Sequence, residues 1–383
     1  MNTRSGIYVK QPGDYYSFIP KPLPPDPPLE LDFGLIDLMS KASHALGRLD
    51  GMAENLPNPD LFVAMYVRKE AVLSSQIEGT QASLLNVLEY ELAARKSLIN
   101  GDVGDIVNYI AAMNLGLEQI RTEPISIKMM RNIHKRLLQN VRGSEWSPGE
   151  IRDCQNWIGP PDSNIHEAVF VPPAPDIMQQ CLKDLEEYII SDTSMPALIH
   201  SAIVHAQFET IHPFLDGNGR IGRLLITLLL CKNERLSRPL LYLSFFLKKH
   251  RAEYYDRLMA VRDEGDWEGW LKFFLTGVFE VANQATETTH EILKMQSEQR
   301  ELIQDLASTN CLRLHDYLFQ TPLVDVITAS ATLDISYNAA NSAIRKLEEF
   351  GFLREITGNK RNRIYVFDEY MRIMGEGVEI TDS

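Results

Sequence analysis

The sequence has little cysteine and no long apolar segment. Its 383 residues include four cysteines, Cys154, Cys181, Cys231 and Cys311, without a Cys-x-x-Cys pair. The apolar run 224–230 is far too short to cross a membrane, and residues 1–10 lack the apolar core of a secretory signal. These absences predict reduced thiols in a cytoplasmic protein that does not enter a membrane.

An excess of positive charge is also missing. The net charge is −14, so the chain as a whole is not built to coat nucleic acid or an anionic membrane, although a local basic patch stays possible. Hydrophobic residues make up 44% of the chain and charged residues 23%, an ordinary globular composition. The length is comfortable for two or three domains.

Helical periodicity dominates what is present and predicts a mainly α fold. Six prolines between positions 20 and 28 predict an extended strap in an otherwise irregular first thirty residues. Apolar spacing predicts helices over residues 35–49, 61–73, 84–94, 106–120, 126–138, 177–190, 196–209, 219–231, 250–264 and 267–299. The segment 146–175, rich in glycine and proline, predicts a loop that carries a small hairpin with a β-like run at 168–171.

The most informative stretch is the twelve residues from His212 to Arg223, which read HPFLDGNGRIGR. Gly217 and Gly219 permit a tight turn, and the apolar residues that follow predict a buried helix whose first N–H groups suit phosphate. Arg220 and Arg223 add charged donors.

Three polar residues complete this stretch. Asp216 is an odd neighbour for phosphates unless Mg²⁺ lies between them. Asn218 has an amide donor, and His212 is the group that can exchange a proton near neutral pH, which makes it the candidate general base. The alternative is a solvated turn before a core helix, which this density of polar residues disfavours.

Other nucleotide and metal motifs do not fit. The Walker A pattern Gly-x-x-x-x-Gly-Lys is absent, and no strand leads into the glycines as a Rossmann fingerprint requires. His200 and His205 precede His212 at spacings that match no zinc pattern, so we interpret them as hydrogen-bonded core histidines.

The twelve residues resemble the signature of the Fic family, His-x-Phe-x-(Asp/Glu)-Gly-Asn-Gly-Arg-x-x-Arg, at all its fixed positions. The resemblance implies an all-α enzyme, and most members of the family transfer AMP from ATP to a Ser, Thr or Tyr hydroxyl of a protein. Some relatives transfer other groups, so the signature leaves transfer of phosphate or UMP open. It also implies that His212 deprotonates the hydroxyl and that Asp216 holds Mg²⁺. Within the same turn it assigns nucleotide binding to Gly217, Asn218, Gly219, Arg220, Ile221, Gly222 and Arg223, with the last on the γ-phosphate.

A second resemblance lies upstream, where residues 74–79 fit the family's inhibitory pattern (Ser/Thr)-x-x-x-Glu-(Gly/Asn) through Ser74, Glu78 and Gly79. It implies the subclass with an N-terminal inhibitory helix, in which Glu78 pairs with Arg223 and displaces the γ-phosphate. A carboxylate and a phosphate would compete for one guanidinium group. The alternative is that Glu78 simply ends a helix.

Two further resemblances involve pairs of residues. Val169 and Phe170 lie in a segment similar to the family's flap hairpin, which pairs with the target backbone as an added strand. Tyr254 and Tyr255 resemble an aromatic pair at the adenine pocket, while buried aromatic packing is an equal alternative.

The C-terminal part resembles a winged helix-turn-helix, with a helix at 327–333, a longer recognition helix at 336–350 and a hairpin at 352–367. Residues 322–372 hold seven Lys or Arg and seven Asp or Glu, a net charge of zero. DNA binding therefore competes with protein docking or a homodimer. The predicted boundaries are a strap at 1–34, an N-terminal helical region at 35–110, a catalytic core at 111–298 and the winged helix at 305–375.

Two functional classes remain open at this point. One is a protein adenylyltransferase, for which the intact His212 and Asp216 argue, because sensing needs neither a base nor a metal ligand. The other is a transcription regulator that senses a nucleotide. A third hypothesis is removal of AMP from modified proteins, with Glu78 orienting a water molecule.

Overall fold

The computed structural model describes residues 3–54, 59–93, 101–141, 143–160, 162–191, 195–304 and 308–376. The helices in these ranges are α1 (Phe33–Glu54), α2 (Pro59–Ile77), α3 (Leu84–Ala93), α4 (Asp102–Gln119), α5 (Ile127–Leu137), α6 (Pro175–Ile190), α7 (Ala197–Ile211), α8 (Asn218–Lys232), α9 (Ser244–Lys249), α10 (Arg251–Glu264), α11 (Trp267–Gln304), α12 (Thr309–Leu318), α13 (Val326–Leu333), α14 (Tyr337–Glu349) and α15 (Asp368–Gly375). The strands are β1 (Gly6–Gln11), β2 (Tyr15–Pro20), β3 (Leu323–Val324), β4 (Leu353–Glu355) and β5 (Tyr365–Phe367).

The mainly α prediction is confirmed, and the predicted helices are present with small shifts at their ends. The Ser126 hydroxyl accepts a hydrogen bond from the Met129 N–H and caps α5 as expected. The short helices α9 and α15 were not predicted, because segments of six and eight residues are too brief for an apolar period to show. The predicted end of α3 at Ala94 lies outside the described residues.

The prediction of an irregular N-terminus is wrong, because β1 and β2 form an antiparallel hairpin in the register Gly6 to Pro20. The hairpin is held by distant partners: the Tyr8 hydroxyl donates to Asp263, and the Phe18 N–H donates to the Val171 carbonyl oxygen at 2.9 Å. The proline-rich segment that follows has no regular secondary structure.

Helix α7 lies at the centre of the molecule, and every residue from Leu198 to Ile211 is buried. A helix that is enclosed on all sides shows no polar face. It packs against α6, α8 and α11, while α1 packs along α11. The junction between α7 and α8 is thereby fixed on both sides by buried helices.

The C-terminal part contains α12, α13, α14 and a three-stranded antiparallel sheet in the order β3-β5-β4. Asp325 caps α13 and Ser336 caps α14 through hydrogen bonds to backbone N–H groups. The predicted order of helix, longer helix and hairpin is present, and its interpretation as a winged helix stays a prediction.

None of the described helices combines the length and the apolar character needed to cross a membrane. All four cysteines lie in the described ranges and none of them forms a disulfide.

Candidate active site

The turn between α7 and α8 carries the predicted phosphate site. His212 ends α7 in the left-handed conformation, with φ 51°, and its N–H donates to the Phe208 carbonyl oxygen. Gly217, with φ 78°, precedes the first residue of α8. The N–H groups in the first turn of a helix have no intrahelical acceptor, so this helix start is suited to an anion.

Asn218 shapes the turn with its side chain. Its amide nitrogen donates to the Phe214 carbonyl oxygen at 2.7 Å, and its Oδ1 accepts from the Phe214 N–H at 2.9 Å. Both ends of the amide thus contact the Phe214 backbone, and the buried side chain holds the shape of the turn.

His134 supports the turn from α5 and was not identified from the sequence. Its ring stacks on Phe214 with a centroid distance of 3.8 Å, and its Nδ1 accepts a hydrogen bond from the Gly149 N–H. Nε2 therefore carries the proton and donates to the Asp216 carbonyl oxygen at 2.9 Å. Burial lowers the pKa of His134 to about 4, so the ring stays neutral in this role.

Arg152 supports the same turn from the other side. Its buried guanidinium donates to the carbonyl oxygens of His212, Cys154 and Pro173. The stretch from Gly149 to Arg152 thus links the loop to the motif.

Arg223 is bound by the end of α2, as the second resemblance implies. Its Nε donates to the Ser74 hydroxyl at 2.8 Å, and its Nη2 donates to the Ser74 carbonyl oxygen at 2.9 Å and to Glu78 Oε1 at 2.6 Å. Although burial alone would raise the pKa of Glu78, the Arg223 guanidinium lowers it below its ordinary value. Gly79, with φ 94°, follows in the conformation expected after a helix end.

Asp216 lies at the mouth of the cleft with its carboxylate 40% exposed. Its Oδ1 accepts from the Gly217 N–H, and its Oδ2 lies 3.4 Å from Nη2 of the buried Arg220. No group of three or more metal-ligating side chains occurs in the described ranges. One partly exposed carboxylate fits Mg²⁺ that takes its remaining ligands from phosphates and water.

Three glycines leave room for three carboxylates. A Cβ at Gly219 would overlap Glu78 Oε1, one at Gly222 would overlap Glu209 Oε1, and one at Gly143 would overlap Asp216 Oδ2. The glycines at 219 and 222 of the motif therefore admit acidic side chains from other parts of the chain, a function that the motif spacing did not reveal.

A cleft of about 580 Å³ opens above the turn. Its lining includes Glu78, Val169, Phe170, Glu209, His212, Asp216, Gly217, Asn218, Gly219, Arg220, Arg223, Tyr254, Tyr255 and Arg262. Of the remaining predicted residues, Ile221 belongs to the hydrophobic core, and neither it nor Gly222 lines this cleft.

The predicted flap and aromatic pair both lie at the cleft. Val169 is 62% exposed and Phe170 is buried under the Arg262 guanidinium, 3.8 Å from the ring centroid. The predicted strand at 168–171 is reduced to a single bridge between Ile158 and Phe170, since the chain turns through a short 3₁₀ helix just before it.

Of the aromatic pair, Tyr254 fits the interpretation as buried aromatic packing and Tyr255 fits the interpretation as a residue at the nucleotide cleft. Tyr254 is buried and shares a hydrogen bond of 2.9 Å with Nε2 of His205, which confirms the latter as a bonded core histidine. Tyr255 is 39% exposed into the cleft. His200 differs from expectation, because neither ring nitrogen has a partner among the described residues.

His212 is poised as a neutral imidazole. Burial first, and then the positive charge of Arg262, lower its pKa to about 3. Nδ1 lies 3.3 Å from the Glu209 carbonyl oxygen, so it carries the proton and leaves Nε2 as an acceptor. The lone pair of Nε2 is therefore free to take a proton, while the lowered pKa differs from the near-neutral value expected from the sequence.

Glu209 is a buried carboxyl that sequence reasoning missed. It lies in the last turn of α7, is 6% exposed, and its Oε1 has no hydrogen-bond partner among the described residues. Burial raises its pKa to about 7. Its position one turn ahead of His212 was the available signal.

The substitution Glu209→Gln is expected to become more stabilising as the pH rises. Because the folded-state pKa is about 7 against an ordinary 4.5, the native chain loses stability as pH rises through this window, by up to about 3 kcal/mol. Glutamine does not titrate. Urea unfolding of both chains at pH 5 and pH 8 measures the difference, with Glu291→Gln on the exposed face of α11 as a control. A pH-independent difference would contradict this assignment.

Comparison with known proteins supports the assignment of the motif. Residues 36–118 match the Fic/DOC family N-terminal region, and residues 124–230 match the Fic/DOC family. The relatives named Protein adenylyltransferase Fic from Drosophila ananassae and Culex quinquefasciatus are each 30% identical over 207 and 208 residues, which is 51% of this chain. The chain covers 37% of the length of each of these two relatives.

Among solved structures, a Fic family protein from Desulfovibrio desulfuricans superposes with a TM-score of 0.60 and 19% identity, over 89% of this chain and 97% of that one. At this identity the likeness concerns the fold. The chain therefore contains a Fic/DOC family N-terminal region at 36–118 and a Fic/DOC family region at 124–230, and the second of these carries the twelve-residue motif.

Proposed function

We propose that the chain is a protein adenylyltransferase that moves AMP from ATP to a Ser, Thr or Tyr hydroxyl of another protein and releases pyrophosphate. The observation that carries this proposal is one cleft that holds a neutral imidazole, an anion-binding helix start and two buried arginines. The relatives named Protein adenylyltransferase Fic support the same reaction class.

In the proposed reaction, the hydroxyl oxygen of the target attacks the α-phosphorus of ATP. The bond from this phosphorus to the oxygen that bridges it to the β-phosphate breaks, and pyrophosphate leaves with the bonding electrons. The hydroxyl proton passes to Nε2 of His212, whose other nitrogen is occupied by the Glu209 carbonyl oxygen. That contact fixes the ring so that its basic nitrogen is the free one.

The phosphates are assigned to the start of α8. The backbone N–H groups after Gly217 and the guanidinium of Arg220 offer donors on one side of the cleft. Arg220 is buried, and its Nε has no hydrogen-bond partner among the described residues, so a phosphate oxygen could satisfy it. Tyr255 is assigned to the adenine, and exposed Val169 to the backbone of the target.

The proposed enzyme is inhibited by its own α2. Glu78 Oε1 and the γ-phosphate require the same Nη2 of Arg223, which is 2.6 Å from the carboxylate in this structure. ATP would then bind with displaced phosphates and a misaligned α-phosphorus, and such misplacement costs about 10²-fold in rate.

Mg²⁺ is assigned to Asp216, where it would neutralise charge on the phosphates. We expect Asp216→Asn to raise the Mg²⁺ concentration needed for half-maximal transfer by about tenfold or more, because one carboxylate ligand is lost. Asparagine keeps the oxygen that accepts from the Gly217 N–H, so the turn should hold. The measurements are the transfer rate and the ATP-induced shift in melting temperature, both as functions of Mg²⁺. Full activity of the native chain in EDTA would contradict the assignment.

The group transferred can be tested directly. The purified chain, with and without candidate target proteins, is incubated separately with ATP labelled in the α-phosphate and in the γ-phosphate. Label from the α-phosphate alone should remain on protein. Retention of γ-label would show phosphate transfer instead, and retention of neither by any variant would favour a nucleotide sensor.

A second candidate is removal of AMP from modified proteins. The supporting observation is that Glu78 is partly exposed, at 34% of its side chain, in the same cleft as His212, where its carboxylate could orient a water molecule. Release of AMP from a modified protein by the native chain, and its loss in Glu78→Gly, would select this reaction.

A further inference from the structure

A groove of about 460 Å³ lies in the C-terminal part, far along the chain from the cleft described above. One wall is α14, which contributes Tyr337, Asn341 and Arg345 at intervals of four residues. Residues four apart lie on one face of a helix. The other wall is the turn between β4 and β5, which we call the wing and define as residues 356–364.

The face of α14 toward the groove is not buried. Its opposite face, formed by Ala340, Ala343, Ile344 and Leu347, is buried inside the unit against α12, α13 and β4. Tyr337 is 57% exposed, and Arg345 is exposed as well. The first eleven residues of α14 contain no acidic residue, and its two glutamates lie at the C-terminal end.

Although this unit has a net charge of zero, its positive and negative side chains lie in different places. The groove is lined by four cations, Arg345, Lys360, Arg361 and Arg363, and by one carboxylate, Asp325. Asp325 is engaged as the cap of α13.

Other carboxylates of the unit are also used locally. Glu355 accepts from the N–H groups of Thr357 and Gly358 in the wing, and Asp368 pairs with Arg354 at 2.5 Å. Within the described part of the chain, Lys360 and Arg361 form no ion pair, so their charges are available to an outside partner.

We propose that this groove binds double-stranded DNA, with α14 in the major groove and the wing on the phosphate backbone. A helix of about 10–12 Å diameter fits a major groove about 12 Å wide. Asn341 and Arg345 have the side chains that pair with adenine and guanine edges, and Lys360, Arg361 and Arg363 suit phosphates.

The polar stripe on α14 favours DNA over a protein partner, while Val326, Ile327 and Tyr365 add apolar surface to the groove lining. A docking helix presents an apolar stripe at this spacing, whereas the exposed stripe of α14 has one aromatic residue, Tyr337, followed by an amide and a guanidinium. The overall charge of −14 opposes binding to DNA at a distance, so contact has to come from this local cluster.

The first test is binding of the full chain to a fluorescent 24-base-pair duplex pool of random sequence, at salt concentrations from 50 to 200 mM. The triple variant Lys360→Ala, Arg361→Ala and Arg363→Ala should lower the salt slope by about 2–3, one unit per lost phosphate contact. The control variant Lys41→Ala, Lys272→Ala and Lys294→Ala removes the same charge from exposed sites elsewhere and should bind as the native chain does.

The second test is repeated selection of bound duplexes from the same pool. The native chain should enrich one sequence, and Asn341→Ala or Arg345→Ala should bind it about 5- to 150-fold less tightly while keeping the weaker binding to random DNA. All these variants should transfer AMP at the native rate. Failure of the native chain to bind any duplex at 50 mM salt, or equal loss in the two triple variants, would overturn the proposal and leave protein docking as the function of the groove.

Discussion

The substitution His212→Asn is expected to lower AMP transfer by about 10²- to 10⁴-fold, the usual contribution of a general base. Asparagine is the sharper choice over alanine, because residue 212 has φ 51° and asparagine tolerates this left-handed conformation well. The turn that carries Asp216 and Gly217 should therefore keep its shape. Initial rates of AMP incorporation into an accepted protein, or into the enzyme itself, measure the effect.

The measurements have to distinguish loss of the general base from loss of the structure of the ATP-binding site. Binding of ATP, measured as the shift in melting temperature that ATP causes, should be close to native in His212→Asn. The matched control is His134→Asn, which removes a histidine from the same region that only supports the turn through Phe214 and Asp216. Its main effect should be on stability and ATP binding. A transfer rate of His212→Asn within threefold of the native rate would remove His212 from the mechanism.

The second large effect is an increase, because Glu78→Gly should raise the transfer rate by about 10²-fold. Removal of the carboxylate frees Nη2 of Arg223 for the γ-phosphate, and the α-phosphorus can align with the target hydroxyl. Residue 78 follows the end of α2, so glycine there costs little helix stability. The measurement is again the initial rate of AMP incorporation at saturating ATP.

Two companion variants define the cause of the increase. Arg223→Ala should give no gain, because it removes the γ-phosphate anchor together with the inhibitory contact. Ser74→Ala removes the hydroxyl that accepts from Arg223 Nε but leaves Glu78 in place, so its gain should be much smaller than that of Glu78→Gly. An equal or lower rate for Glu78→Gly would refute the inhibitory role.

Most helices could be predicted from the sequence because their apolar faces repeat with the helical period, whereas the N-terminal hairpin could not. Its alternating residues and the turn at Pro12–Asp14 were the available signal, with positive φ at Gly13 and Asp14. The prolines that follow predicted an irregular segment instead. The hairpin is stabilised by Asp263 and Val171, and contacts over such distances leave no local pattern.

The candidate site was predictable where its chemistry lies in one segment. His212, Asp216 and Arg223 lie in the expected cleft, and Glu78 meets Arg223 across 145 positions of sequence. The hydrogen bonds between the Asn218 amide and the protein backbone could not be inferred, because an asparagine side chain can bind a backbone group or a ligand equally well. Burial raises the pKa of Glu209, and burial is a property of the packed helices and not of the spacing.

The missing side chain at Gly219 has a consequence for how the proposed inhibition would be relieved. The space above this Cα is filled by the Glu78 carboxylate and bordered by the Arg223 guanidinium. The proposed inhibition then depends on the space that the Glu78 carboxylate occupies as well as on its charge. Added salt screens exposed charges. It does not displace the Glu78 side chain from this space, and it does not screen the Arg223 guanidinium, which is 2% exposed. If Glu78 is inhibitory as proposed, activation should therefore come from a movement of the end of α2.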